Sequence, residues 1–431
     1  MREMEDSRIE WAKKIPKDFN IVRMQDIGNY KKGPFGSSIT INMFVDKSED
    51  TIKVYEQKNA IYEDAKLGYY YITSSDFQKL KDFEVFPGDI IVSCAGTIGK
   101  CYIMPKTMER GIINQALMKI TLFPTVNKDY FMFLFGVALD EMAKVYSNGS
   151  AIKNIPPFSV LKKYKLPVPT LSEQKILANF LNCQSVEIDS LTADIQAQIE
   201  TLEQYKRSVI TETVTKGLNP DADKKDSGIE YVGSIPAHWD MRPVYYYFVE
   251  RKNKNALGKE DNLLSLSYGR IIRKDINTSE GLLPESFNTY NIIEAGDIVI
   301  RPTDLQNDKR SLRTGLAKEH GIITSAYLAL KPKDELVSAY YHYLLNSFDV
   351  MKVFYNMGNG VRQGLNFSEF SRLMVFAPPI DEQKAIADFL DEKCVEINEA
   401  IATKKTQLET LNEYKKSVIY EYVTGKKEVA V

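Results

Sequence analysis

The sequence is poor in the residues that build most metal, redox and histidine-dependent catalytic sites. Its 431 residues include 3 histidines and 4 cysteines. The histidines (His238, His320 and His342) lack ligand-like spacing, and no two cysteines form a CxxC pair, so no zinc site is expected. The charged start MREMEDSRIE is unlike a signal peptide, and reduced thiols in a cytoplasmic protein are therefore predicted.

Long apolar runs and a strong charge of one sign are also missing. No apolar run approaches the ~20 residues of a membrane span. The formal net charge of −2 argues against a uniformly basic nucleic-acid binder. Residues 1–165 nevertheless carry more Lys and Arg than Asp and Glu, whereas residues 166–225 and 379–431 carry more acid than base. Any basic surface is therefore expected to be local.

Most of the chain consists of two copies of one sequence repeat. Residues 173–215 align without gaps on residues 382–424, and half of the aligned positions are identical, beginning with EQKILANFL and EQKAIADFL. Upstream, DSRIEWAKKIPKDF (6–19) matches DSGIEYVGSIPAHW (226–239). The chain therefore carries an internal pseudo-two-fold repeat whose ends are alike and whose middles differ.

The repeated ends are predicted to be long helices. Ser172 and Asp381 are suitable N-caps after the prolines of LPVPT and APPI, and Thr170 and Glu173 have the spacing of a capping box. About 42 residues at ~1.5 Å each make a rod of roughly 60 Å. Apolar residues recur at three- and four-residue steps, as in a coiled-coil seam. The seam residues are Ile188, Leu191, Ile195, Leu202 and Val209 in the first helix, and Ile397, Ile401, Leu408, Leu411 and Val418 in the second.

The simplest way for two such rods to bury their seams is to pack on each other, although each could instead lie on its own domain.

The middle segments of the two repeats mix β-branched and aromatic residues with Gly and Ser turns, which predicts mixed α/β domains. Within them, residues 128–146 and 338–355 are predicted to be helical.

The segment CAGTIGKC (94–101) is similar to a phosphate-binding loop but has the wrong spacing. Only two residues separate Gly96 from Gly99, and Cys101 stands where Ser or Thr would bind magnesium. A tight turn between strands is therefore predicted.

Two other catalytic signatures also fail. NIPPF (154–158) carries an inserted Ile relative to an adenine methyltransferase signature, and no glycine-rich cofactor loop accompanies it. Asp381, Glu382 and Lys384 are nuclease residue types, but they are nearly contiguous at a helix start, where carboxylates favour the N-terminal amides. None of these three motifs therefore supports a catalytic activity in this chain.

Basic clusters remain in the diverged middles: YKKGPFGSS (30–38), RKNKNALGK (251–259), GRIIRK (269–274) and KRSLRTGLAK (309–318). Lys and Arg bind phosphates, and Arg, Asn and Gln also read base edges. Two different basic domains on one repeated frame predict a bipartite, asymmetric DNA target with an unread gap.

The blocks DSGIEYVGSIPAHW, LPVPTLSEQKILANFL, APPIDEQKAIADFL and YKRSVITETVTKGL, in this order of domain and helix, resemble the specificity (S) subunit of type I restriction-modification systems. At Lys13 and Lys14 the first copy departs from the pattern, where the second has Gly233 and Ser234.

The resemblance implies an α+β fold with two mixed α/β target recognition domains in tandem, separated by two long helices that pair as an antiparallel coiled coil. The implied segments are recognition domain 1 (1–165), spacer helix 1 with linker (166–220), recognition domain 2 (221–375) and spacer helix 2 (376–431). It also implies double-stranded DNA, two modification (methyltransferase) subunits and restriction (ATP-dependent translocase and nuclease) subunits as partners. S-adenosylmethionine, ATP and magnesium would be bound by those partners, and this chain would be a non-catalytic subunit that holds no cofactor or metal.

The candidate DNA-binding residues lie at loops of the two domains. In the first they are Lys31, Lys32, Ser37, Ser38, Thr73, Ser74, Ser75, Asn114, Gln115 and Lys153, and in the second Ser267, Tyr268, Arg270, Arg273, Lys274, Arg310, Arg313, Thr324, Ser325 and Arg362. The alternative for the hydroxyl residues is turn capping, and for Tyr268 core packing.

Two other functions stay open at this point. The chain could be a coiled-coil scaffold whose domains bind proteins without recognising DNA, or a self-sufficient methyltransferase. Binding of random duplex with a steep salt dependence would favour DNA recognition over the scaffold.

Overall fold

The computed structural model describes residues 2–146, 157–230, 232–277, 284, 286–303, 312–333, 336–355, 357 and 364–429. The chain divides into two compact units: unit 1 is Met1–Asp194 with Gln407–Val431, and unit 2 is Ile195–Thr406. Each long helix contributes one part to each unit, whereas the sequence division gave each helix a segment of its own. Within the part of the chain that the structure describes, every helix is too short or too polar to span a bilayer.

Unit 1 combines short strands with helices of mixed length. Its strands are β1 (Met4–Asp6), β2 (Lys14–Pro16), β3 (Asn20–Arg23), β4 (Gly28–Lys32), β5 (Ile52–Tyr55), β6 (Tyr71–Ile72), β7 (Glu84–Val85), β8 (Ile90–Ser93), β9 (Cys101–Ile103), β10 (Gly111–Ile113), β11 (Leu117–Leu122) and β12 (Lys165–Val168). Its helices are α1 (Gln57–Ile61), α2 (Ser74–Leu80), α3 (Lys128–Tyr146) and α4 (Phe158–Lys163). The first long helix, α5, follows (Leu171–Lys216).

Unit 2 repeats this plan. Its strands are β13 (Lys224–Asp226), β14 (Ser234–Pro236), β15 (Asp240–Pro243), β16 (Phe248–Glu250), β17 (Leu264–Ser267), β18 (Arg270–Arg273), β19 (Asn291–Ile293), β20 (Ile298–Ile300), β21 (Thr314–Leu316), β22 (Gly321–Ile323), β23 (Leu328–Pro332) and β24 (Met374–Ala377). Its helices are α6 (Val244–Tyr247), α7 (Ser338–Val350) and α8 (Phe367–Phe370), and the second long helix is α9 (Ile380–Val423).

The strand pairing corresponds between the units. The sheet β4-β11-β8-β9 has its counterpart in β16-β23-β20-β21, and the pairs β1-β2 and β3-β12 in β13-β14 and β15-β24. Unit 1 also holds the sheet β6-β5-β10-β7, whose counterparts in unit 2 are β17-β18 and β22-β19. There a single parallel bridge, Leu263 to Ile322, replaces the parallel pairing of β5 with β10. The predicted α+β fold with an internal repeat is confirmed.

Each unit packs its domain helix against the last turn of a long helix. In unit 1 the buried Tyr130 of α3 donates a hydrogen bond to the carbonyl of Val423 at 3.3 Å. In unit 2 Tyr340 of α7 donates to the carbonyl of Val214, also at 3.3 Å. Both tyrosines belong to the apolar cores of their units, so the repeated helix ends are part of each domain core.

Glycines end both long helices in the left-handed region. Gly217 has φ +72° and Gly425 has φ +71°, as in common helix C-caps. A Cβ on Gly425 would lie 2.4 Å from Cγ of Pro16, and one on Gly217 would lie 3.2 Å from the Trp239 ring. These contacts explain why the helix ends are repeated together with the motifs that contain Pro16 and Trp239.

The helices start slightly earlier than the N-cap prediction. α5 begins at Leu171 and α9 at Ile380, so Ser172 and Asp381 lie inside the first turns and are not the caps. Thr170 precedes α5, and its hydroxyl accepts a hydrogen bond from the backbone N–H of Glu173 at 3.4 Å.

Candidate nucleic-acid interface

Several connections of unit 1 leave its main sheet at one end, which we call loop end 1. The pairing places Lys32 opposite Met118, and Val92 opposite both Met118 and Cys101. The connections 33–43, 94–100 and 114–116 therefore start or finish at the same end. Hydrogen bonds from Gly33 N–H to Leu117 O and from Cys94 N–H to Ala116 O, both at 2.8 Å, hold them together.

The connection between β5 and β6, residues 56–70, joins the same end. The N–H of Asn114 donates to the carbonyl of Tyr55 at 3.0 Å, and the side-chain amide of Gln57 donates to the carbonyl of Thr97 at 3.1 Å. This connection exposes Tyr62 and Tyr69, which were not among the sequence candidates. The only sequence signal was the run of tyrosines before β6.

Six of the predicted residues of domain 1 lie at loop end 1. Lys32, Ser37, Ser38 and Gln115 are exposed there. Lys31 is half-buried and pairs with Asp82 at 3.2 Å. The side-chain oxygen of Asn114 accepts from the N–H of Ala116 at 3.0 Å, so this residue also shapes the turn.

The segment 73–75 lies away from loop end 1. Strand β6 runs antiparallel to β5, with Ile72 opposite Ile52, so the chain leaves β6 at the opposite end of the sheet. The Thr73 hydroxyl caps α2 by accepting from the N–H of Asp76 at 3.1 Å, and Ser74 donates to the carbonyl of Asp50 at 2.7 Å. The structure thus shows the capping alternative for Thr73.

The segment CAGTIGKC is a hairpin connection. It joins the antiparallel neighbours β8 and β9, and Gly96 and Gly99 have φ of +63° and +77°. A strand follows it, whereas a phosphate-binding loop leads into a helix. The predicted connection between two strands is confirmed, but its seven residues make it longer than a tight turn.

The corresponding end of unit 2, loop end 2, collects the corresponding connections. Strand β16 ends at Glu250 opposite Leu330, and β20 ends at Ile300 opposite Leu328 and Thr314. The segments 251–259, 301–303, 312–313 and 324–327 therefore lie at this end. Thr324 and Ser325 form the turn between β22 and β23, where the Thr324 hydroxyl accepts from the N–H of Ala326 at 3.3 Å.

The hairpin β17-β18 also points to loop end 2. Ser267 pairs with Arg270 across a two-residue turn, in which Tyr268 and Gly269 have φ of +46° and +77°. Positive φ at both positions is typical of a type I′ hairpin turn, where Asn-Gly is usual. The Tyr268 side chain is 86% exposed, so it does not pack in the core.

Two of the predicted DNA-binding arginines, Arg270 and Arg273, lie at opposite ends of the hairpin strand β18. Arg270 stands at the turn, whereas Arg273 pairs with Leu264 three residues further along the strand, about 10 Å away at ~3.3 Å per residue. Arg273 donates to Glu319 at 2.7 Å, and this contact lowers the pKa of the Glu319 carboxyl. Lys274 follows at the same level and is exposed.

Arg313 lies inside the core of unit 2. It is fully buried, and its guanidinium donates to the hydroxyl of Tyr355 at 3.0 Å. Its backbone N–H donates to the carboxylate of Asp349 at 2.6 Å. Burial raises the pKa of Asp349. Arg313 is therefore placed to support the fold. Lys153, Arg310 and Arg362 lie outside the described residues.

The long helices bury side chains at alternating steps of four and three residues. The buried or half-buried positions are Ile188, Thr192, Ile195, Ile199, Leu202, Lys206 and Val209 in α5, and Ile397, Ile401, Lys404, Leu408, Leu411, Lys415 and Val418 in α9. This is a heptad pattern. Of the predicted seam residues, Leu191 alone is off the seam, at 46% exposure, because the heptad step selects Thr192, the counterpart of Ile401.

A polar pair recurs in the helix contacts of each unit. In unit 1 the Lys415 ammonium lies 2.6 Å from the Asp189 carboxylate, and in unit 2 Lys206 donates to the Asn398 side chain at 2.8 Å. Asp189 and Asn398 occupy the same position of the repeat, as do Lys206 and Lys415. An early residue of one helix meets a late residue of the other, as in an antiparallel pair. Burial lowers the pKa of Lys206.

The buried glutamine of each EQK motif ties a long helix to its domain. Gln174 accepts from the N–H of Asn127 at 2.8 Å and donates to the carbonyl of Pro169 at 2.9 Å. Gln383 accepts from Val337 at 3.2 Å and donates to Pro378 at 2.9 Å. The repeated motif therefore fixes the start of each helix.

Among the described residues, no three His, Cys, Asp or Glu side chains are grouped as metal ligands would be. His342 has a buried Nε2 without a hydrogen-bond partner, and burial lowers its pKa to about 4.

Known proteins with similar sequences are specificity subunits. The family model for the type I restriction modification DNA specificity domain matches residues 16–201 and 316–410. The chain is 23% identical over 444 aligned residues to the type I restriction enzyme MjaVIII specificity subunit of Methanocaldococcus jannaschii, covering 96% of this chain and 94% of that protein. It is 23% identical over 332 residues to the EcoBI specificity subunit of Escherichia coli, covering 70% of this chain and 66% of that protein.

Solved structures share the fold. A chain from a study of complex assembly and conformational transition in the type I R-M system matches with a TM-score of 0.68 and 13% identity, covering 96% of this chain and 99% of that one. The HsdS subunit from Thermoanaerobacter tengcongensis matches with a TM-score of 0.50 and 13% identity, covering 96% and 98%. From the family match, the relatives and the repeated α+β architecture, the chain belongs to the type I restriction modification DNA specificity family, as a non-catalytic specificity subunit that carries no cofactor of its own.

Proposed function

We propose that this specificity subunit binds double-stranded DNA through loop ends 1 and 2, and that each end reads one half of an asymmetric bipartite site. The long helices set the unread gap and dock two modification subunits. Restriction subunits complete the assembly, which acts in the cytoplasm. S-adenosylmethionine, ATP and magnesium belong to those partners.

The observation that carries this proposal is the convergence of diverged polar connections at one end of each unit. Lys32, Ser37 and Gln115 are exposed at loop end 1, and Arg270 and Ser325 at loop end 2. Lys and Arg position a protein on phosphates, whereas Arg and Gln can also hydrogen-bond to base edges. Because the sequences of the two ends differ, the two half-sites should differ.

Two pairs of exposed apolar residues on the long helices support the docking of two identical partners. Val186 and Val395 occupy the same repeat position and are exposed, and so are Tyr205 and Tyr414. Contiguous exposed apolar patches are typical of protein interaction sites, and positions that are exposed in both copies of the repeat can contact two identical partners in the same way. Their repetition suits two equivalent docking sites, one for each copy of the modification subunit.

Family membership favours DNA recognition over the protein-binding scaffold. The test is binding of random-sequence duplex by the chain together with its modification subunit, measured by fluorescence anisotropy over a range of salt concentrations. We expect a steep fall in affinity with salt, since phosphate contacts release counterions. No binding to any duplex at low salt would overturn the proposal.

Lys32→Ala should reduce the slope of log affinity against log salt by about one, if Lys32 binds a phosphate. Lys106→Ala is the matched control. Lys106 is also exposed, but it follows β9 at the end of the sheet opposite loop end 1. Equal slopes for the two variants would exclude Lys32 from the interface.

A further inference from the structure

The connection from β5 to β6 in unit 1 and the connection from β17 to β18 in unit 2 occupy the same place. In unit 1, Tyr55 at the end of β5 is level with Ile113 of the parallel strand β10. In unit 2, Leu263, just before β17, bridges to Ile322 of β22 in the same parallel sense. Both connections therefore start and finish at their loop ends.

Large aromatic side chains are exposed on both connections. Tyr62 is 70% exposed and Tyr69 is 74% exposed in unit 1, compared with 86% for Tyr268 in unit 2. Neighbouring rings support Tyr69: its ring lies 5.3 Å from that of Tyr70, which in turn stacks at 4.4 Å on Phe44. The Tyr69 ring is thus exposed to solvent but supported from behind by the rings of Tyr70 and Phe44.

A cation accompanies the rings. The Lys58 ammonium, which also pairs with the Glu56 carboxylate at 2.8 Å, lies 4.9 Å from the centre of the Tyr69 ring, and Arg270 directly follows the turn that holds Tyr268. A ring beside a cation suits DNA, where the cation can contact a phosphate while the ring contacts the bases.

The backbone at Tyr268 strengthens the case. A non-glycine residue with φ +46° is uncommon, and a bulky one is less favourable there than Asn or Gly. The exposed ring contributes no core packing that would offset this strain. Strain kept at an exposed aromatic residue is a feature of ligand-contacting positions.

We propose that Tyr62 and Tyr69 in unit 1, and Tyr268 in unit 2, are specificity-determining residues whose rings contact bases of their own half-site. This inference rests on the proposed function. In a duplex an aromatic ring can wedge into a base step, and the ease of opening a step depends on its sequence. The rings would therefore select for sequence.

The test maps methylated adenine in cells that co-express each variant with the modification subunit. Tyr62→Ala and Tyr69→Ala should relax the motif at one or two positions of one half-site, and Tyr268→Asn at the other half-site only. Asn suits the type I′ turn, so this variant removes the ring without disturbing the hairpin. Preference for the original base should fall roughly ten-fold at each relaxed position.

Tyr245→Ala is the matched control. Tyr245 is 54% exposed, but it belongs to α6, before β16, and so lies at the end opposite loop end 2. We expect cells that express Tyr245→Ala to methylate the same DNA motif as cells that express the unchanged chain. Tyr→Phe variants at the three proposed positions should also keep the motif, because wedging into a base step needs the ring and not the hydroxyl.

The outcomes separate the two levels of the proposal. If the unchanged chain directs no split methylation, the proposed function fails. If it does, and the tyrosine variants give the same motif as Tyr245→Ala, only the role of these rings is overturned. Equal loss of methylation at every sequence would also overturn it, because that result assigns the rings to non-specific binding.

Discussion

Replacing Gln174 by Ala should destabilise unit 1 strongly, although the residue lies in a motif that invites a catalytic interpretation. Its side chain is 1% exposed. The amide oxygen accepts from Asn127 at 2.8 Å, and the amide nitrogen donates to Pro169 at 2.9 Å and to Thr125 at 3.4 Å. These bonds join the start of α5 to the segment that precedes α3.

The size of the effect follows from the groups left without partners. The Gln174→Ala change leaves the N–H of Asn127 and the carbonyl of Pro169 without hydrogen-bond partners. Each unsatisfied buried group lowers the free energy of unfolding by about 1–3 kcal/mol. The expected loss is therefore about 2–6 kcal/mol, a large share of the 5–15 kcal/mol typical of a folded domain. Lys175→Ala is the matched control, because Lys175 directly follows Gln174 and its side chain is exposed.

The two tryptophans allow each unit to be followed separately in urea. Trp11 lies in unit 1 and Trp239 in unit 2. In a Trp239→Phe background, which places there the residue type of its repeat counterpart Phe19, fluorescence reports unit 1 alone. Gln174→Ala should lower the midpoint well below that of Lys175→Ala. Equal midpoints for the two variants would refute the structural role of the motif.

Two further predictions concern unit 2. Asn398→Asp should place a carboxylate beside Lys206, as Asp189 stands beside Lys415. The new ion pair should stabilise unit 2 by up to ~1 kcal/mol and so raise its melting temperature. An unchanged or lower melting temperature would contradict this pairing. Because the folded-state pKa of His342 is about 4, below its ordinary value of 6.5, the unfolded chain binds the proton first. Stability should therefore be full above pH ~6.5 and fall as the pH drops toward about 4. His342→Gln should weaken this dependence, and identical unfolding curves against pH for both chains would refute it.

The repeat and the rods could be predicted from sequence because they depend on local patterns. Prolines before the helix starts, uninterrupted helix formers and regular apolar steps are visible in the sequence alone. The choice of Leu191 failed because a heptad seam is defined by its average step, and Leu is more conspicuous than Thr192. Comparison with Ile401 in the second copy could have corrected it.

The candidate interface was less predictable because it depends on strand register. Thr73 and Asn114 are similar turn residues in the sequence, yet the antiparallel course of β6 separates Thr73 from loop end 1. Arg313 looks like a surface arginine but is held in the core by Tyr355 and Asp349. Such placements follow from contacts between distant segments, which composition does not encode.

The central claim is that each unit reads its own half of a split DNA site. The most direct measurement is a map of N6-methyladenine in cells that express this chain with its modification subunit. We predict methylation at a bipartite, asymmetric motif with a fixed unread gap, on both strands. Methylation at a continuous or palindromic motif would contradict the account.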